Sequence, residues 1–277
     1  YSFYSDTDST YITLGKFVEQ NFPNKSNKEI SVLLDKFCET ALSKVIDKAL
    51  EDIFSYTNVY QKKLSFKREV IADSGVWLAK KRYALNVYDS EGVVYEKPKL
   101  KVQGMEIVRS STPASVRSTL KESVNIVLTK DEQTLREYVE AIESKWHNLS
   151  PSDIAFPRTA NNVTEYKDSG SIYRKGTPIH VKGALMYNHL LVTKNLEQKY
   201  EEIRDSDKIK FVYLKKQNPL GINVITFRSE IPPEFRLNEY VDYDMMFSKA
   251  YLEPLQSLLN VVGWSVKEEA TLEGLFS

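Results

Sequence analysis

A single cysteine, Cys38, is present in the chain. No internal disulfide is therefore expected, and a reducing, intracellular compartment is. Cys38 falls in a helical apolar pattern and reads as a small packing residue. No apolar run approaches the roughly 20 residues that a membrane-spanning helix requires. The first residues carry no secretory leader pattern, so the Asn-x-Ser/Thr matches at Asn24, Asn148 and Asn162 read as coincidence. Neither sign of charge dominates: 38 Lys and Arg stand against 38 Asp and Glu, for a formal net charge of zero. Bulk attraction to nucleic acid or to a membrane surface is thus no argument, and a charged binding surface must come from local segregation. There is no glycine-rich phosphate loop, no Gly-x-Ser-x-Gly nucleophile turn, no internal repeat and no low-complexity tract. His147, His180 and His189 show no metal-ligand spacing with Cys38 or one another, and read as structural or surface residues.

What is there is ordinary globular composition: 277 residues, 42% hydrophobic and 27% charged. That is enough for two compact units with real cores. The sequence opens on Tyr1, not Met, inside a strand pattern, and so reads as the later part of something longer. A polar loop with Pro23 precedes a capping box formed by Ser26 and Glu29. Apolar residues then recur at helical spacing over residues 30–54, predicting one long amphipathic helix across a sheet. Strand-like patterns follow at residues 66–71, 76–88 and 93–102, with a hairpin turn at Asp89-Ser90-Glu91-Gly92. Further on, Thr112 and Pro113 read as a helix start, and the helix is expected to run to about Leu128. Thr129 and Glu132 read as a second capping box, opening a helix that runs to about Trp146. Residues 150–176 are loop-rich. Helical patterns resume at 181–193 and 196–203, two short strands are expected at 209–214 and 222–227, and a last helix at 242–261. The fold class is therefore α+β: an antiparallel sheet with a long helix, then a mainly helical domain.

The stretch with the most chemistry comes first. Asp6-Thr7-Asp8 lies between two β-prone runs, and acids form poor strands and good turns, so it reads as the tip of a hairpin. Two carboxylates crowded on one turn repel; either one takes up a proton or a divalent cation sits between them. Mg²⁺ suits such oxygens and keeps room for water and substrate phosphates, as two-metal phosphoryl transfer requires. The alternative is an ordinary polar turn.

Positive charge gathers in two places. Lys80, Lys81 and Arg82 with Tyr83 lie in the second strand pattern, where three cations and an aromatic suit a phosphate backbone or a minor groove. Lys97, Lys99 and Lys101 alternate onto one strand face, and Arg109, Arg117 and Lys121 follow. The alternative for both is a solvated edge, where lysine discourages aggregation. At the end of the chain Leu272, Leu275 and Phe276 are spaced to meet on one helical turn, which would fit a partner's groove or dock back on the chain itself.

Together these parts resemble the family B DNA polymerases. Tyr4-Ser5-Asp6-Thr7-Asp8-Ser9 is similar to the family's metal-binding hairpin, and Lys80-Lys81-Arg82-Tyr83 to its primer–template-holding basic motif, in the same order and at matching spacing. Lys80 to Val87, Pro98-Lys99-Leu100-Lys101 with Gly104, Ser110-Ser111-Thr112-Pro113, Ala160-Asn161-Asn162 and His180 with Tyr187-Asn188 resemble the replicative polymerases of tailed phages. The resemblance implies that residues 1–104 are the last part of the palm and 105–277 the thumb, with 270–277 a peptide for a sliding clamp anchored by Leu272, Leu275 and Phe276. It implies Asp8 as the ligand of the catalytic Mg²⁺ ions, with Asp6 as its lesser neighbour and Glu69 as a third acid near the site. It implies Lys80, Lys81, Arg82 and Tyr83 as contacts to primer–template DNA, to which the positive charge of Lys99, Lys101 and Arg109 would add, a dNTP as the second substrate, and the cytoplasm of a phage-infected cell as the location. Ser5 departs from a glycine common before the acid pair. Nothing resembles the family's other metal-binding aspartate motif, its nucleotide-gripping helix or its exonuclease, all of which precede the hairpin. The expected partner is therefore the missing N-terminal polymerase portion, whether by truncation or as one piece of a split enzyme. The competing reading is a non-catalytic module that holds DNA and tethers a clamp; a metal nuclease built on Asp6 and Asp8 lacks a further carboxylate cluster or base.

Overall fold

The acidic stretch folds as a hairpin. β1 (Ser2–Asp6) and β2 (Ser9–Ile12) pair antiparallel, with Asp6 opposite Ser9 and a two-residue turn of Thr7 and Asp8. The structure, a computed structural model, describes residues 2–266. α1 (Gly15–Asn21) follows, then α2 (Asn27–Phe37). The Ser26 capping box forms as its residue types require: the Ser26 hydroxyl accepts from the Glu29 amide, and the Glu29 carboxylate accepts from the Ser26 amide at 2.9 Å. The single long helix expected over residues 30–54 is interrupted. A π-helical turn at Cys38–Leu42 separates α2 from α3 (Ser43–Thr57), which ends on left-handed Asn58.

β3 (Val70–Ala79), β4 (Arg82–Ser90) and β5 (Val93–Gln103) form an antiparallel sheet in chain order. The β4–β5 turn is Glu91-Gly92, both at positive φ (52° and 85°), the backbone of a hairpin whose twist matches its strands. The β3–β4 connection overturns an expectation. Residues 76–88 are not one strand: Ala79 pairs with Arg82, and Lys80 and Lys81 are the turn between two strands. Residues 83–87 are buried without a break because both faces of β4 are covered. On one face Tyr83, Leu85 and Val87 form a cluster with Tyr11, Val70, Ala72, Trp77 and Tyr95. On the other, α2 crosses the sheet, and Asp73 accepts from Asn27 (2.8 Å) and from buried Asn86 (2.9 Å). Arg68, just before β3, ion-pairs with Asp35 of α2 and with fully buried Asp89 of β4.

The chain divides between Gln103 and Gly104 into two units. The second holds α4 (Ala114–Thr129), α5 (Glu132–Trp146), α6 (Pro151–Ile154), β6 (Phe156–Thr159), α7 (Val163–Tyr166), α8 (Ile179–Thr193), β7 (Lys208–Tyr213), β8 (Val224–Phe227), α9 (Tyr243–Phe247) and α10 (Glu253–Val262). A second π-helical turn, Ser248–Leu252, joins the last two helices. β6, β7 and β8 make a small antiparallel sheet, of which β6 lies in the stretch expected to be loop. Residues 196–203, expected to be helical, form turns and extended chain instead. Thr112 does not cap α4. Its hydroxyl donates to the Glu106 carbonyl (2.8 Å), and Pro113 is the cap residue. Nor does Thr129 cap α5: Asp131 does, its carboxylate accepting from the Thr134 amide at 2.8 Å. α8 lies on β8, with Gly183 so close that a Cβ there would meet the Thr226 hydroxyl at 2.3 Å and its amide nitrogen at 2.9 Å. Buried Tyr251 shares a 2.8 Å hydrogen bond with Ser123 of α4, and burial pushes its phenol up. No helix among the described residues is long and apolar enough to cross a membrane. The architecture is α+β, an antiparallel sheet with helices followed by a largely helical unit.

Candidate active site

The two acids at the hairpin tip are held differently. Asp6 ends β1, its side chain is 14% exposed, and its Oδ1 accepts from the Thr7 hydroxyl (3.1 Å) and lies 3.8 Å from Lys80 Nζ. Its carbonyl accepts from the Asp8 amide at 2.6 Å and from the Ser9 hydroxyl at 3.1 Å. Asp8 is exposed, and its carboxylate has no hydrogen bond or ion pair among the described residues. Thr7 between them has φ of 52°, the left-handed region that a β-branched residue rarely enters. The tight turn thus stores strain at the point where the two acids are displayed.

Beside this tip lies the Lys80–Lys81 turn. Lys81 also has positive φ, 62°, and its amide donates to the Tyr4 hydroxyl at 3.0 Å. Trp77, opposite Tyr83 in the sheet register, gathers the rings that fasten the two hairpins. Phe3 meets it edge-on at 4.7 Å, Tyr11 at 5.4 Å and Tyr4 at 6.3 Å, while Tyr83 stacks on it at 6.0 Å. Phe3 and Tyr4 are chain neighbours and would normally point to opposite faces. The pairing of β1 and β2 shifts register between Ser2 and Tyr4, and this irregularity lets both reach Trp77. Burial and the Tyr83 hydroxyl push the Tyr11 phenol up, so it stays protonated. An aromatic wedge therefore sets an acidic turn and a basic turn side by side.

The remaining expected site residues are placed less uniformly. Lys80 and Lys81 are exposed and Arg82 is half-buried. Tyr83 departs from its expected DNA contact: it is 5% exposed, packed against Trp77 and Tyr11, and its hydroxyl donates to Gln103 at 2.6 Å. Glu69 is exposed and pairs with Lys101 at 2.5 Å. Among the described residues, no three His, Cys, Asp or Glu stand close enough to hold a metal ion, so Glu69 does not join Asp6 and Asp8. Lys99 lies over the Tyr95 ring at 3.9 Å. Arg109, in the second unit, sits 3.4 Å from the Glu106 carboxylate and bonds the Gly104 carbonyl. Leu272, Leu275 and Phe276 lie outside the described residues. As for a cation, hard oxygen donors suit Mg²⁺, which is commonly held by one or two carboxylates with water and phosphate filling the rest. Asp8, open and without a partner, fits that role; Asp6, already engaged, fits it less well.

Sequence reasoning missed Tyr4 and Trp77 as the pieces that join the turns. The available signal was Trp77 and Tyr83, two large aromatics three residues before and two after Lys80–Lys81, close enough in sequence to pair across a hairpin. It was hidden because lysine, with no intrinsic preference for positive φ, occupies the turn position where glycine or asparagine would announce a hairpin.

The model of the family described as "Divergent Family B DNA polymerase" matches residues 1–143. The DNA-directed DNA polymerase of Enterobacteria phage T4 is 31% identical over 285 residues, covering 98% of this chain and 31% of that protein. The DNA-directed DNA polymerase of Escherichia phage RB69 is 31% identical over 288 residues, covering 99% of this chain and 31% of that protein. The chain thus spans about a third of the length of the curated relatives it matches. The family match takes in more than half the residues, including the acidic hairpin and the lysine turn, and on it the chain belongs to the family B DNA polymerases.

Proposed function

We propose that this chain supplies the primer-end half of a DNA polymerase active site: one metal-binding aspartate, the adjoining grip on primer–template, and the thumb. The observation that carries the reading is the bond from the Lys81 amide to the Tyr4 hydroxyl, which sets the lysine turn against the acidic turn. In the reaction the primer 3′-oxygen forms a bond to the α-phosphorus of a dNTP, the bond to the bridging oxygen breaks, and pyrophosphate leaves. Bound Mg²⁺ would lower the pKa of the 3′-hydroxyl and neutralise the triphosphate and leaving group. Asp8 would hold the metal. Asp6, engaged with Lys80, would orient that lysine toward the primer end. Lys80 and Lys81 would hold the DNA backbone and minor groove, and Lys99 and Lys101 of the first unit, and separately Arg109 of the second, would add contacts to the DNA.

On this reading the opposing metal ligand comes from the polymerase portion that the relatives carry and these 277 residues do not match. The 277 residues alone should then leave a primer unextended with template, dNTP and Mg²⁺. Extension that persists in them and vanishes in Asp8→Ala would overturn the proposal. The competing reading is a DNA-holding and clamp-tethering module. The two part company over Asp8. If holding alone matters, Asp8→Ala leaves function intact while Lys81→Ala weakens DNA affinity. Removing residues 270–277 tests the clamp peptide: retention on clamp-loaded DNA should fall, with binding to bare DNA unchanged.

A further inference from the structure

In the second unit a guanidinium stands half-buried without an acid. Arg158 extends from β6, the edge strand of the small sheet. Its Nη1 donates to the Ser111 carbonyl and to the Pro157 carbonyl, both at 2.9 Å. Those two bonds use one end of the guanidinium. Nε and Nη2, the edge whose parallel N–H groups match two oxygens of a phosphate or carboxylate, have no partner among the described residues.

Three other half-buried arginines are satisfied differently. Arg68 meets Asp35 and Asp89, Arg136 meets Glu132, and Arg228 meets Asp207. A desolvated cation is costly unless an anion faces it, and these three have one built in. Arg158 has none, and burial lowers its pKa. Its surroundings are apolar but not closed. The guanidinium carbon is 5.9 Å from the ring centres of both Phe156 and Phe211, which stack on each other at 5.2 Å. His180, at the first turn of α8, faces the same place and sits 6.4 Å from Phe211. Burial, then Arg158 itself, push His180 below its usual range, which leaves a neutral imidazole with one N–H to donate.

From this geometry we infer that the free edge of Arg158, beside His180, is a binding site for one phosphate group of a nucleic-acid strand. The phosphate would complete the missing ion pair and take two parallel hydrogen bonds from Nε and Nη2. The identity of the ligand rests on the DNA-holding reading above; the existence of an anion site does not.

The test is a salt series on the 277-residue chain with a primer–template duplex, read by fluorescence anisotropy. Arg158→Gln should bind about tenfold more weakly at low salt. Its log affinity should also fall less steeply with log salt, the slope shrinking by about 0.9. Arg158→Lys should keep the wild-type slope while losing affinity, because it retains the charge but not the fork. Independently of any variant, inorganic phosphate should protect Arg158 of the wild-type chain from phenylglyoxal, as read by peptide mass spectrometry. Intact DNA binding with an unchanged slope in Arg158→Gln would overturn the site and leave the DNA reading standing. Phosphate protection without DNA binding would keep the site and remove the DNA reading. Neither protection nor DNA binding would overturn both.

Discussion

Between Tyr1 and Gln103, seven apolar side chains are buried in the described structure; between Gly104 and Ser277, forty are. The imbalance reverses at the surface, where eleven of sixteen exposed large apolar residues belong to the shorter first unit. Val45, Ile53 and Tyr56 lie on one helix, α3, which buries only Leu50. The second unit closes over its own core. The first makes a sheet, covers β4 on both sides, and leaves α3 largely open. The acidic turn and the lysine turn belong to the less self-sufficient unit. Functional side chains must stay reachable, and the elements that display them cannot also be the best buried.

That contrast can be broken by substitution. Phe227→Ala, in the fully buried β8, should cost the second unit about 3–5 kcal/mol in urea unfolding. A loss no larger than that of a surface change would mean the second core is not what holds the unit. Next come two glycines. At Gly183 an added methyl meets the Thr226 amide, which is backbone and cannot step aside. Gly183→Ala should therefore cost about 1–3 kcal/mol. At Gly75 the added methyl meets the Leu85 and Trp77 side chains rather than backbone, so Gly75→Ala should cost less. Equal losses would remove the distinction between a tight and a yielding interior.

Smaller effects test the first unit. Tyr4→Phe removes the acceptor for the Lys81 amide and should cost about 1 kcal/mol. Faster hydrogen exchange of that amide would report the loss directly, and an unchanged rate would show that the two turns are not joined there. Ile53→Ala, on the open face of α3, should stay within about 0.5 kcal/mol of wild type. The smallest effect belongs to pH. The Lys199 hydrogen bond holds the Glu234 carboxyl down at about 2, from an ordinary 4.5. Because the folded value is the lower one, this contribution is present above pH 4.5 and is lost as pH falls toward 2. Lys199→Ala should flatten that part of the melting-temperature profile, with no change at neutral pH beyond a surface-pair effect.

Short-range chemistry was legible before any coordinates. The Ser26–Glu29 box, the Glu91-Gly92 turn and the acidic hairpin each follow from residues a few positions apart. Errors arose where two local solutions competed. Thr129 and Asp131 both suit a helix start, and only the path of the chain into α5 selected Asp131. Leu196 to Ile203 carry helical spacing, yet Asn188 of α8 bonds both the amide and the carbonyl of Ile203 at 2.8 Å, which takes those backbone groups out of any helix. β6 was hidden because its four residues include Pro157, which an edge strand tolerates and a pattern search rejects.

By itself, the order of residues determined that this is an α+β chain with an acid pair on a bend, a lysine cluster further along, and the likeness to family B DNA polymerases that the comparisons bear out. Those properties are written in local propensity and motif spacing. Only the tertiary structure decided that Lys80 and Lys81 are a turn rather than strand, that Tyr83 faces inward, and that Tyr4 and Trp77 bring the two turns together. The physical reason is the same in each case. A lysine at positive φ and the closing of a loop between residues 77 positions apart cost free energy, and packing that no short stretch of sequence contains, the burial of Tyr83 included, must offset it.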